Sequence, residues 1–269
     1  MEKHPPTTQV QWAAASDLGR MRRNNEDCWG VFAPGISAAP LAPGPLALAA
    51  GGVMLVVSDG MGGAKGGEEA SRFCVERLAQ EIATRAGSGD AAAAMREALV
   101  ATHASLMTRA QSRAGWHGMG ATLSALWLQA GGAAVLGHVG DSRIYLLHRG
   151  RLRQLTEDHS LGAGMVRRGE MAEEALARFK YRSMLEQVMG GDGRALEPQV
   201  LMVEFVTGDA FALCSDGLYS PLQEKTAEVL REALATGSQA AADGLVAAAN
   251  AAGGPDNITV LLARVMADT

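Results

Sequence analysis

The sequence predicts an α+β fold built on antiparallel sheets, and three observations carry that prediction. Strand-like and helix-like runs arrive in blocks instead of strict alternation, which disfavours a doubly wound parallel sheet. From Gly66 onward, Ala70, Phe73, Cys74, Leu78 and Ile82 recur at three- and four-residue spacing, the mark of a helix with one apolar face. The composition, 48% hydrophobic and 20% charged over 269 residues, is that of a globular chain long enough to bury a substantial core.

The elements follow in order. VQWAAAS (10–16), CWGVFA (28–33) and VMLVVS (53–58) read as strands. The Pro-, Gly- and Ala-rich stretch 34–52 between the last two reads in its first part as a long surface loop. It is not a domain linker, because splitting there would leave two sheet fragments unable to fold alone. The helix from Gly66 carries Glu68 and Glu69 in its first turn, where the helix dipole favours negative charge. A second helix is expected over 90–112 with Asp90 as its N-cap. Strands ATLSALWLQ (121–129), AAVLGHVG (133–140), RIYLLHRG (143–150) and RLRQLT (151–156) follow, with HRGR (148–151) as a tight hairpin turn. Residues 157–192 are polar, charged and helical in pieces. VLMVEFV (200–206) and AFALCS (210–215) are strands around Thr207-Gly208-Asp209. Helices over about 222–235 and 239–251 and the strand NITVLLARV (257–265) close a single domain, 1–269, without internal repeats.

Bulk properties exclude several function classes. The net charge of −5 offers no basic excess for nucleic acid or an anionic membrane. Cys28, Cys74 and Cys214 are odd in number, far apart and without CxxC spacing, so they read as reduced thiols, not a disulfide frame or zinc site. The first residues, MEKHPPTTQVQW, lack an apolar signal core, and the longest apolar-and-glycine run (46–57) is 12 residues, too short to span a bilayer. A cytoplasmic protein is expected.

The chemistry lies in acidic residues at the edges of apolar segments: Asp27, Asp59, Asp141, Asp216 and Asp256. Any one such aspartate most often caps a turn or helix. Four of the five, however, adjoin Gly or Asn, as Asp59-Gly60, Gly140-Asp141, Asp216-Gly217 and Asp256-Asn257, and convergence on one site explains more than separate turns do. Clustered carboxylates need cations to stay ionised, and oxygen ligands without paired His or Cys point to Mg²⁺ or Mn²⁺. Two such ions, about 3.5–4 Å apart, can share a hydroxide and present it to phosphorus. The rival reading of SDGMGGAKGG (58–67) as a phosphate cradle fails, because GxxxxGK[ST] is absent. A phosphate would also need a fixed cation; Arg22 is the first choice, with Arg20 and Arg23 as rivals.

Seven segments in order, DLGRMRRNNED (17–27), SDGMGG (58–63), GMGATL (118–123), GHVGDSRIYLL (137–147), LTEDHSL (155–161), GDAFALCSDGL (208–218) and GGPDNITVLL (253–262), make the chain resemble the PP2C-type (PPM family) metal-dependent protein serine/threonine phosphatases of the compact bacterial kind. The resemblance implies a four-layer αββα sandwich, two antiparallel sheets flanked by helix pairs, with a flap at about 157–192. It implies hydrolysis of phosphoserine and phosphothreonine on proteins, opposing a Ser/Thr kinase, through a hydroxide bridging two Mn²⁺ or Mg²⁺ ions. Asp59 would bridge both metals, and the carbonyl of Gly60 would complete one coordination shell. Asp216 and Asp256 would bind the first metal and Glu26 the second. Asp27 would orient metal-bound waters, Arg22 would hold the substrate phosphate, and Asn257 would support the site. Gly60, Gly62 and Gly63 would leave room for metals and waters. A third, weaker metal would draw on Asp141 and Asp216.

Three departures stand out against the family. Met61 occupies the place of a histidine proposed elsewhere as general acid. Ser220 stands where an acidic residue would help hold the third metal. FKYRS (179–183) replaces an HPxRN-like stretch, so specificity does not transfer. His159 is read as holding the start of the flap and His138 as a core residue. Arg167, Arg168, Lys180 and Arg182 are either a solvated face or a steering patch for phosphopeptides. The expected partners are phosphorylated proteins, met as a monomer, with no nucleic acid and no membrane. Two other readings are a catalytically silent binding module on this fold and a phosphatase dedicated to one regulatory partner.

Overall fold

Val53, Leu55 and Val57 face one core while Met54 and Val56 face another, the two-residue period of a strand buried on both sides. This segment runs through the middle of the computed structural model, which describes residues 8–34, 40–42, 44–48, 51–62, 66–87, 89–191 and 195–267. Parts of the 34–52 loop, Gly63 and the last residue of the 157–192 flap lie outside the described residues.

The chain begins with β1 (Thr8–Asp17), β2 (Asp27–Phe32), β3 (Gly44–Ala47) and β4 (Val53–Met61), followed by α1 (Gly66–Arg85) and α2 (Ala91–Gln111). Five strands come next: β5 (Gly120–Ala121), β6 (Leu123–Leu128), β7 (Ala133–Val139), β8 (Arg143–His148) and β9 (Arg151–Gln154). The flap holds α3 (Leu161–Arg167), α4 (Glu173–Leu176) and β10 (Met189–Gly190). Then come β11 (Gln199–Glu204), β12 (Ala210–Cys214), α5 (Asp216–Leu222), α6 (Thr226–Thr236), α7 (Gln239–Ala251) and β13 (Ile258–Ala267).

One sheet has the order β3-β1-β13-β12-β8-β9; the other runs β10-β5-β4-β6-β7-β11, with β2 also paired to β4. All pairings are antiparallel. Three cores separate four layers. Met54, Val56 and Ala125 pack against Cys74, Leu78, Ile82 and Leu99 of α1 and α2. Leu55, Leu136, Phe211 and Leu261 fill the space between the sheets. Ala212, Val260 and Leu262 pack against Leu230, Leu245 and Ala249 of the C-terminal helices. The α+β sandwich expected from the sequence is therefore present.

Local signals act as read. Asp90 accepts a hydrogen bond from the Ala93 N–H at 2.9 Å and starts α2. The β8–β9 turn places Arg149 at φ 49° and Gly150 at φ 76°, the twist that a two-residue hairpin loop needs. The structure also differs from the sequence reading in three places. The segments 200–206 and 210–215 are strands of different sheets, so the turn at 207–209 carries the chain across the sandwich, with Phe205 packed edge-on against Phe211, ring centroids 6.2 Å apart. The helix expected from 222 begins at Thr226, because Pro221 and the positive φ of Gln223 (50°) end a separate short helix, α5. Within 34–52, Gly44–Ala47 forms an edge strand on β1.

Candidate metal centre

Asp59 is near the end of β4, directly opposite Asp27 on β2 in the antiparallel register. Thr122, at the break between β5 and β6, holds Asp59 from both sides: its N–H donates to the Asp59 carbonyl at 2.8 Å, and its Oγ1 accepts the Asp59 N–H at 2.9 Å. Asp216 starts α5 just after β12, and Asp256 lies just before β13. The central strands of both sheets thus deliver acidic side chains to one end of the sandwich. There Glu26, Asp59, Asp141, Asp216 and Asp256 line an open pocket of about 560 Å³.

Asp27 lies beneath this pocket. Ser215 Oγ donates to Asp27 Oδ2 at 2.7 Å, while the Thr259 N–H donates to Ser215 Oγ at 3.0 Å and so turns the hydroxyl proton toward Asp27. Asn257 is buried and ties the Arg22-bearing loop in place. Its Oδ1 accepts the Glu26 N–H at 2.8 Å, and its Nδ2 donates to the carbonyls of Leu18 and Asn24, both at 2.9 Å.

The three candidate arginines separate. Arg20 donates from Nε to the Asn250 carbonyl at 2.8 Å, away from the pocket. Arg22 lines the pocket and pairs with Asp256 at 2.6 Å. Arg23 is exposed and does not line the pocket.

Carboxylates so packed resist ionisation. Burial, reinforced by Asp216 and Asp256 and opposed by hydrogen bonds from Thr259 and Ser215, pushes Asp27 up to about 7. Burial and Asp216 push Asp141 up to about 8, and burial and Asp256 push Asp216 up to about 6. Asp59 is raised by burial and then by its neighbouring aspartates, and Glu26 by burial against the pull of Arg22.

The glycine after each of two aspartates has a steric reason. A side chain at Gly60 would collide with the Gly67 carbonyl at the start of α1, and one at Gly217 with the Asn257 carbonyl. The space beside Gly60 thus belongs to backbone, where the sequence reading gave it to metals and waters. Gly62, at φ 130°, faces Met119.

The pattern that defines protein phosphatase 2C matches residues 46–254. The chain belongs to that family. The serine/threonine phosphatase stp of Listeria monocytogenes is 35% identical over 250 residues, covering 92% of each chain. The serine/threonine protein phosphatase PstP of Mycobacterium tuberculosis is 34% identical over 261 residues, 97% of this chain and 46% of that longer protein. The crystal structure of a PstP catalytic domain in complex with two manganese ions superposes with a TM-score of 0.77 at 33% identity, covering 97% of this chain and all of that one.

The donor set of this phosphatase 2C chain fits hard divalent cations. Six acidic residues, Glu186 of the flap among them, line the pocket against one cation, Arg22, and their donor atoms are all oxygen. Asp27 Oδ1 and Asp216 Oδ1 are buried without a hydrogen-bond partner, which a buried carboxylate oxygen does not tolerate without a cation or proton. Among the described residues, no group of three or more His, Cys, Asp or Glu is set to hold a metal as it stands. Arg22 supplies a counter-charge to Asp256.

The two histidines serve the scaffold. His138 is fully buried between Ser124 Oγ (2.8 Å) and the Glu157 carbonyl (3.1 Å), and burial lowers it to about 3. His159 pins the flap entrance: its N–H donates to the Gly140 carbonyl at 2.7 Å, and its Nδ1 accepts the Gly140 N–H at 3.3 Å. Sequence reading missed Thr122 and Ser215 as partners of the aspartates, although both stand inside quoted motifs, GMGATL and CSDGL. It also missed Glu186, a flap carboxylate on the pocket wall that no motif signals.

Proposed function

We propose that this chain is a single-domain, metal-dependent phosphatase that removes phosphate from phosphoserine and phosphothreonine in proteins. The observation that carries the reading is the carboxylate-lined pocket, with Arg22 on its wall paired to Asp256, in a chain of the phosphatase 2C family. Asp59 would bridge two ions with the Gly60 carbonyl as a further ligand. Asp216 and Asp256 would hold one ion and Glu26 the other. When bound, Mn²⁺ or Mg²⁺ would neutralise the carboxylates, make a water nucleophilic near neutral pH and polarise the phosphoryl oxygens.

The remaining work belongs to the chain's own side chains. Arg22, whose side chain is 47% exposed, exchanges its Asp256 partner for the phosphate and presents a planar two-pronged donor to it. Asp27, with Oδ2 fixed by Ser215, has Oδ1 left to accept a hydrogen bond from a water in the pocket. Met61 lines the pocket and has no proton to give, so the leaving alkoxide would take its proton from water or from another residue. Asn257 keeps Glu26 and Arg22 in register. Asp141 and Asp216 would serve a third, weaker ion, to which the exposed Ser220 brings no carboxylate.

No helix among the described residues is long and apolar enough to cross a membrane. The proposed setting is a cytoplasmic monomer opposing a Ser/Thr kinase. The test is release of phosphate from a phosphothreonine peptide by EDTA-stripped protein titrated with Mn²⁺ or Mg²⁺. Release appears only with metal and is lost in Asp59→Asn. Metal-independent release, or a normal rate in Asp59→Asn, would overturn the reading.

A further inference from the structure

The pocket has a second wall. Besides the aspartates, the exit of the flap contributes Ser183, Leu185, Glu186, Gln187 and Val188. Glu186 is the one charged side chain on this wall, and none of the roles above uses it. Its place is well defined. The Glu186 N–H donates to the His159 carbonyl at 2.8 Å, and Leu185 bridges Ser160, so the flap's exit is stitched to its entrance. The carboxylate rests in a notch that Gly164 of α3 leaves open; a side chain at 164 would collide with Glu186 Oε2.

The charge of Glu186 is not spent inside the flap. Its nearest cation, Arg168, lies 3.7 Å away and already makes a two-pronged pair with Glu170 at 2.9 and 3.1 Å. One cation thus serves two carboxylates, which leaves a net negative charge beside the pocket that Glu186 lines. The metal ions and Arg22 account for the phosphate's charge. A carboxylate on the flap's side of the pocket meets what flanks the phosphorylated residue.

We propose that Glu186 selects phosphorylated segments carrying a lysine or arginine next to the phosphoserine or phosphothreonine. The inference rests on the phosphatase reading of the same site and names its substrate class. The exposed cations Arg178, Lys180 and Arg182 do not line the pocket, so they act only on more distant substrate residues.

The test uses phosphothreonine peptides differing only in the adjacent residues, Arg, Ala or Glu, at saturating Mn²⁺. The native protein favours the Arg over the Glu peptide by about fivefold in kcat/KM, the range of a partly exposed ion pair. The ratio falls to near one in Glu186→Gln and inverts in Glu186→Lys. Because each ratio compares two substrates on one preparation, partial loss of folded protein does not change it. An unchanged ratio in Glu186→Gln, or a native preference for the Glu peptide, would overturn the proposal while leaving the phosphatase reading intact. Failure of every peptide and of p-nitrophenyl phosphate would instead sink that reading, and this proposal with it.

Discussion

Thr122 shows how a residue without charge shapes the candidate site. It grips the backbone of Asp59 on both sides, and its Oγ1 lies 2.6 Å from Ser142 Oγ in a fully buried hydroxyl pair. Thr122→Val removes the acceptor for the Asp59 N–H and leaves a polar group unpaired beside the pocket. Such a loss costs about 1–3 kcal/mol. The expected outcome is Mn²⁺ affinity weakened roughly tenfold by calorimetry, restored in Thr122→Ser, which keeps the oxygen; equal affinities in Val and Ser variants would contradict it. Asp59, Asp216 and Asp256 were legible because an aspartate beside Gly or Asn at a strand end is unusual when repeated. Thr122 and Ser215 were not, since threonine and serine are common and their partners lie 63 and 188 residues away in the chain.

At the scale of elements, the glycines following Asp59 and Asp216 let a second backbone come close to each aspartate. Gly217 sits at the start of α5 against the Asn257 carbonyl. Gly217→Ala has to push apart α5 and the start of β13, two elements that carry Asp216 and adjoin Asp256. The expected cost is about 1–3 kcal/mol, read as a lower urea midpoint with an unchanged slope. A variant as stable as the native protein would show that the two segments part freely. Strand and helix periods were legible because each core-facing residue obeys its own local spacing. The sheet switch at 207–209 was not, because a turn between two strands looks the same whether it closes a hairpin or crosses a sandwich. Pro221 and Gln223 divided a helix that alanine-rich periodicity ran together.

At the scale of the molecule, two sheets bring their acidic strand ends to one edge, and the fold bears that charge. Without metal, Asp27, Asp59, Asp141 and Asp216 all bind protons more tightly in the folded chain than near the ordinary 3.8. From about pH 4 the folded state therefore holds more protons than the unfolded one, up to about 6 for Asp216, 7 for Asp27 and 8 for Asp141, so stability falls as pH rises through that range. His138, lowered to about 3, and His159, lowered by burial, work in the opposite direction below about 6.5, but burial raises Glu26 as well, so two groups oppose five. EDTA-stripped protein is expected to melt at a lower temperature at pH 8 than at pH 5.5, and Mn²⁺ to raise the melting temperature more at pH 8. A metal-free protein that gains stability toward pH 8 would contradict this electrostatic account. The most direct test of the central claim, that one pocket holds a two-metal centre pivoting on Asp59, is calorimetric titration of stripped protein with Mn²⁺. The account predicts about two ions per chain in the native protein and loss of both in a folded Asp59→Asn variant. Native-like binding in that variant, or no binding in the native protein, would contradict it.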